Sequence, residues 1–302
     1  MAEVCTCDTP LGNTGRPACQ KKYLVVKDLI LTPLIGSAGT ANTYDVSAGE
    51  PLLATIQADL NAADPLDRIY PIRGIENVEN VRDESIFQEF NSGKKVKVRE
   101  GFKTFTGFVP NVDPVYVGKV KSAGCSAIGA YRLDTAGNFQ FSARKSDGIV
   151  TTAYPIEIDS DTFDVRYVES TDGETFGMMM DFQWKETEKD SYLRQVSVDW
   201  NASDLQGLLD VNSSVVVDSA TQFTATLVDD YGNPVEGLGL GDFTVTNLTT
   251  ASGVTPSPVT ETSDGVYQFT IPAQTTNDVL ELDASKTGFD FTKVKANTFV
   301  AL

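Results

Sequence analysis

Between residues 176 and 185 the chain reads FGMMMDFQWK. This sends Phe176, Met178, Met180, Phe182 and Trp184 to one side of an extended backbone and Met179, Asp181, Gln183 and Lys185 to the other. A period of two is what a β-strand with one dry face requires, and an amphipathic helix, with its period of 3.6, cannot supply it. The alternation recurs: Phe139, Phe141 and Ala143 interleave with Gln140, Ser142 and Arg144, Phe163 leads to Val165 and Tyr167, and Phe223 to Ala225 and Leu227. The chain must therefore fold mainly as β-sheet, with short polar connections that suit antiparallel pairing.

Other segments extend this reading. The β-branched run YLVVKDLILT at residues 23–32, stopped by Pro33, predicts a buried strand, and residues 154–159 a further one. Three stretches predict short helices. Residues 50–62 place Leu52, Leu53, Ile56 and Leu60 at helical spacing behind Pro51. Residues 83–93 (DESIFQEFNSG) offer an Asp cap, a face of Ile86, Phe87 and Phe90, and an Asn-Ser-Gly stop. Asp113 followed by Pro114 opens the third, over residues 113–121. A strand or hairpin with one basic face is expected over 94–109, and a long antiparallel hairpin over 176–200 with its turn at 186–190. The first two-thirds is thus expected to be an antiparallel β-sandwich or barrel with two or three short helices.

Near Gly207 the texture changes. Short strands then recur at regular spacing, at 223–227, 243–247, 266–271, 279–284 and 297–302, which predicts a second, Greek-key sandwich. The expected domains are 1–207, opening with a Cys-containing loop at 1–22, and 208–302. Residues 208–302 hold 12 acidic and 3 basic side chains, so half of the net charge of −18 falls on this shorter part. An excess of that size repels a phosphate backbone, which disfavours a nucleic-acid-gripping role.

Histidine is absent, which removes Ser-His and Cys-His nucleophile pairs and the commonest metal ligand. Carboxylate chemistry is the remaining catalytic route, yet Glu186 with Glu188, and Asp229 with Asp230, sit beside turn residues where solvated carboxylates are the ordinary case. Cys5, Cys7 and Cys19 are spaced C-x-C-x11-C, unlike the usual zinc modules, and are expected to form a thiol cluster or a single disulfide in the N-terminal loop. No phosphate loop is present, and no cofactor or metal is expected. Neither a secretory leader nor an apolar run of about 18 residues is visible, so the expectation is a soluble protein made in the cytosol.

Two clusters invite an interaction role. Lys94, Lys95, Lys97, Arg99 and Lys103, with Val96 and Val98 among them, form either a solvated strand face or a surface that docks on an acidic neighbour. Met178, Met179 and Met180 form either an adaptable groove or core and subunit packing.

The stretches FTATLVDDYGNPVEGL (223–238) and TETSDGVYQFTIPA (260–273) resemble bacterial Ig-like domains of the invasin type, whose turn runs D-x-x-G-N-P-V-x-G-L. That resemblance implies an Ig-like sandwich. The part before it is similar in architecture to the tail tube proteins of long-tailed bacteriophages: a helix-then-hairpin order at 83–109, a second long hairpin at 176–200 and an appended Ig-like domain. This likeness implies a structural, non-enzymatic virion protein, assembled in the host cytoplasm into stacked hexameric rings through which DNA passes as passive cargo. The expected partners are further copies of the chain, other tail proteins and a host-surface glycan or protein for the Ig-like domain, with no membrane insertion. Under it the wall and subunit-interface positions are Lys94, Lys95, Val96, Lys97, Val98, Arg99, Phe105, Met178, Met180, Phe182 and Trp184. A capsid decoration or head fibre protein, or a surface-binding adhesin module, is the alternative.

Overall fold

The computed structural model describes residues 22–144, 149–173 and 175–302, and these fall into two compact units that divide between Gln206 and Gly207. Cys5, Cys7 and Cys19 lie outside the described residues.

The first unit begins β1 (Val26–Pro33), β2 (Tyr44–Asp45), α1 (Leu53–Leu60), β3 (Tyr70–Ile72) and β4 (Glu76–Arg82). It continues through β5 (Ile86–Glu89), β6 (Lys95–Arg99), β7 (Lys103–Pro110), α2 (Pro114–Ala123), β8 (Ile128–Asp134) and β9 (Asn138–Ser142). The last strands are β10 (Thr152–Ala153), β11 (Ile156–Glu157), β12 (Asp164–Val168), β13 (Gly177–Trp184) and β14 (Leu193–Ser197). An antiparallel sheet in the order β14-β9-β8-β1-β3, with β11 also on β8, faces a four-stranded antiparallel sheet ordered β12-β13-β7-β4. Neither closes into a barrel, so the architecture is a sandwich.

Strand β1 shows why the run at 23–32 is almost continuously apolar. Leu29 and Leu31 enter a core shared with Phe105, Met178, Met180 and Phe182 of the smaller sheet, while Ile30 joins a second core on the opposite face. That second core holds Tyr131, Phe139 and Phe141 beneath Ile56 and Leu60 of α1 and Trp200. With both faces covered, alternation has nothing to gain. Strand β9 is covered on both faces as well, so its polar side chains are buried and bonded: Gln140 donates to Asp134 and Ser142 to Glu188. Helix α2 starts where Asp113 accepts the Val115 N–H, carries Pro114 in its first turn, and sends Val117 and Val120 into the first core beside β12.

Two expectations are overturned. Residues 83–93 form no helix; β5 pairs with β6 across a turn in which Gly93 has φ +75°. The spacing of Ile86, Phe87 and Phe90 suited a helix face, but the Val-Lys alternation that follows supplies a pairing strand, and Asn-Ser-Gly turns the chain instead of ending a helix. Nor do residues 176–200 form a hairpin. Strand β13 pairs with β12 and β7, whereas β14 pairs with β9 in the other sheet, because the 186–190 connection crosses the sandwich with Glu188 buried.

The second unit runs β15 (Leu209–Ser219), β16 (Gln222–Asp229), β17 (Phe243–Asn247), β18 (Ser252–Val254), β19 (Val259–Ser263) and β20 (Val266–Thr270). It ends with β21 (Val279–Ala284), β22 (Phe289–Asp290), α3 (Thr292–Ala296) and β23 (Phe299–Val300). Sheets ordered β19-β20-β16-β15-β22 and β18-β17-β21-β23 enclose a core of Phe223, Phe243, Tyr267 and Phe269, giving an Ig-like sandwich. The DDYGNP segment is a tight turn, with the Asp229 carboxylate accepting the N–H groups of Tyr231 and Asn233 and Gly232 at φ +84°.

Candidate assembly surface

Strands β4 and β7 pair from Glu76 opposite Phe108 to Arg82 opposite Lys103 and form one margin of the smaller sheet. The same ribbon then continues outward. Asp83 N–H donates to the Phe102 carbonyl, the strands pinch, and β5 and β6 resume pairing from Ile86 opposite Arg99 to Glu89 opposite Lys95. Gly101 makes the pinch possible, since a Cβ there would lie 1.7 Å from the Asp83 carbonyl oxygen. Beyond it β5 and β6 pair, among the described residues, only with each other, so residues 86–99 are a two-stranded arm.

Among the described residues nothing covers the apolar side chains of the arm. Ile86, Phe87, Phe90, Val96 and Val98 are 40% to 59% exposed. Gln88 stands opposite Val96 and Phe87 opposite Lys97, so apolar side chains occupy both faces. A lone hairpin is marginally stable in water, and clustered exposed apolar groups mark interaction surfaces.

Ion pairs tie the root of the arm to the sandwich. Lys97 Nζ lies 2.7 Å from Glu100, Glu100 lies 3.3 Å from Arg82, and Asp190 receives Arg82 at 2.5 Å and Lys103 at 2.6 Å. Burial pushes the Asp190 carboxyl up, but hydrogen bonds from Lys103 and Arg82 outweigh it and leave the group below its ordinary range. The Lys97 hydrogen bond and charge hold Glu100 low as well. Arg99 lies over the Phe102 ring, 4.1 Å from its centre.

The eleven positions expected at an interface therefore separate into two sets. Lys94, Lys95, Val96, Lys97, Val98 and Arg99 lie on the arm or its turn, the first five exposed and Arg99 half-buried. Phe105, Met178, Met180, Phe182 and Trp184 lie within the sandwich core, none more than 5% exposed, so they cannot meet a second copy. Their strands have the predicted dry face, but the dry face is covered by the unit's own larger sheet. Ile86, Phe87 and Phe90, whose spacing alone suits a helix, complete the arm; the alternation of Val96 and Val98 just after Asn-Ser-Gly is the signal that finds them.

Elsewhere the candidate chemistry resolves into structure. Glu188 is buried and accepts from Ser142 Oγ at 2.7 Å and Arg144 at 2.8 Å, and Asp229 is buried in its turn, so neither is the solvated carboxylate expected. Asp230 pairs with Lys293 at 3.0 Å. A polar hollow of about 350 Å³ is lined by Asp59, Asp67, Tyr44 and Tyr131, with Asp67 held by Ser37. Among the described residues no group of three or more His, Cys, Asp or Glu side chains is placed to hold a metal ion, and no helix is long and apolar enough to cross a membrane. Cys125 is a free, exposed thiol. No protein-family model, curated protein or solved structure matches the chain.

Proposed function

We propose that this protein is a structural subunit that assembles with copies of itself, as the tail tube protein of a long-tailed bacteriophage does, and has no catalytic duty. The arm carries the reading: five apolar side chains on a two-stranded projection are exposed among the described residues, and a repeating assembly would cover them. The sandwich of two antiparallel sheets with α2 at its flank suits a ring subunit whose smaller sheet lines a channel.

The outer face of that sheet supports the channel role. Its strand register brings Asp164, Asp181, Thr106 and Glu79 into one row and Arg166, Met179, Phe108 and Glu76 into the next. Four of the five charged groups in these rows are carboxylates, and Arg166 is already paired with Asp164 and Asp181. Such a wall offers a passing phosphate backbone no free cation to hold. In this role the protein belongs to the virion tail, is assembled in the host cytoplasm, and displays its Ig-like unit outside the tube toward a host-surface glycan or protein.

Negative-stain electron microscopy of the purified chain, with sedimentation at several concentrations, tests the proposal. Rings or stacked tubes are the expected result. A monomer at every concentration would overturn it.

A further inference from the structure

The arm has two open edges and a surplus of cations on one strand. Lys94, Lys95, Lys97 and Arg99 put four positive groups within six residues, and among the described residues only Lys95, with Glu89, and Lys97, with Glu100, are ion-paired. A strand with unpaired N–H and C=O groups along one side is a template for another strand. The complementary strand should be an open edge as well, with acidic flanks and an exposed apolar group.

Strand β12 has these properties. Among the described residues it pairs with β13 on one side and with no strand on the other, while α2 packs against it through the core that Val117, Val120 and Val165 share. Asp161, Glu169 and Asp172 flank it, exposed and without ion pairs among the described residues, and Tyr167 is exposed on the strand itself. Its one cation, Arg166, is already engaged by Asp164 at 2.8 Å and Asp181 at 2.6 Å. In the order β12-β13-β7-β4 the arm issues from the β4/β7 margin, so arm and β12 belong to opposite edges of one sheet, about 14 Å apart across three strand spacings. A contact between them is head-to-tail, the kind that propagates from copy to copy into a ring or a filament.

We propose that β6 of one copy adds to the open edge of β12 of a second copy, with the cations of residues 94–99 drawn to the acidic groups that flank that strand, Asp161 at one end and Glu169 and Asp172 at the other. The inference rests on the self-assembly reading and names the receiving surface. Backbone pairing closes both edges, and the charges select partner and register.

Two full-length variants test it. The first carries Lys94→Glu, Lys95→Glu and Lys97→Glu; the second carries Asp161→Lys, Glu169→Lys and Asp172→Lys. Circular dichroism and tryptophan fluorescence confirm that each is folded, and sedimentation velocity reads the concentration at which assemblies appear. Each variant alone should need a concentration at least about tenfold above wild type, because like charges then meet at every contact. An equimolar mixture should recover to within about threefold of wild type, since the acidic arm of the first meets the basic edge of the second and the wild-type arm of the second meets the wild-type edge of the first. Variants that assemble like wild type, or a mixture no better than its components, would overturn the pairing while leaving self-assembly intact. A wild-type chain that stays monomeric would overturn the assembly reading itself. Salt gives a readout free of mutation: the wild-type threshold should rise between 0.1 and 1 M NaCl as the screening length shrinks from about 10 Å to about 3 Å, and a threshold that falls instead would refute a charge-set contact.

Discussion

Replacing Phe182 and replacing Phe87 should have opposite consequences, although both are large aromatic side chains on strands of the same unit. Phe182 is 1% exposed, stacked on Phe105 at 5.0 Å, edge-on to Trp184 at 4.9 Å and close to Phe163 at 5.8 Å. Phe182→Ala removes a fully buried ring and opens a cavity among aromatics that cannot all collapse into it, which costs about 4 kcal/mol. Phe87 is 56% exposed on the arm, and Phe87→Ser should alter the stability of the unit by no more than about 0.5 kcal/mol while abolishing assembly. Urea unfolding followed by tryptophan fluorescence separates the two effects, because both tryptophans of the chain, Trp184 and Trp200, are buried in the first unit and report on it alone. Measured in the Phe87→Ser background, so that unfolding is not linked to dissociation, Phe182→Ala should lower the midpoint by about 2 M at a slope near 2 kcal/mol per M. A Phe182→Ala chain with an unchanged midpoint and a selective loss of assembly would place that ring at a subunit contact and refute the assignment of β13 to the core.

Three further outcomes follow from the geometry. Gly101→Ala drives a Cβ into the Asp83 carbonyl, so hydrogen exchange over residues 86–99 should accelerate and the assembly threshold should rise, while the fluorescence midpoint of the unit stays within about 0.5 kcal/mol of wild type. The lowered carboxyl groups of Asp190 and Glu100 contribute order at the arm root above the ordinary carboxylate range, and that contribution is lost as pH falls through their depressed values. Amide chemical shifts of residues 86–99 should therefore hold constant from pH 8 to about 5 and move only in more acidic solution. Glu188→Ala removes a buried carboxylate from Ser142 and Arg144, and although Arg144 keeps Glu157 at 2.5 Å, the loss should cost about 3 kcal/mol in the same fluorescence assay.

The β character of the chain was legible because period-two alternation is local: Met178, Met180, Phe182 and Trp184 could be assigned to one side without knowing what covers them. What covers them is a long-range fact, and here the reading as a subunit interface failed, since a dry strand face looks the same whether it meets a sheet of its own unit or a second copy. The 186–190 connection misled for a related reason. Its polar residues suggest a hairpin turn, but Glu188 is drawn inward by Arg144, more than forty positions earlier in sequence, and the chain crosses to the other sheet. Helix α2 is legible from Asp113 and Pro114, because caps act within a few residues.

Residues 83–99 are where local pattern and fold disagree, and such disagreements concentrate at functional sites. The arm has too few strands to cover its own apolar side chains, and an exposed edge of this kind invites indiscriminate pairing. The cations on β6 restrain that tendency. A second arm approaching in the same way sets four positive groups against four, which is repulsive at the spacing of paired strands, whereas β12 with Asp161, Glu169 and Asp172 presents the opposite sign. One charge pattern thus disfavours arm-to-arm aggregation and favours arm-to-edge docking. Since specificity is a difference between two affinities, reversing the charge of the arm removes its attraction to the acidic flanks of β12, and with it the preference for that edge over any other surface of a second copy.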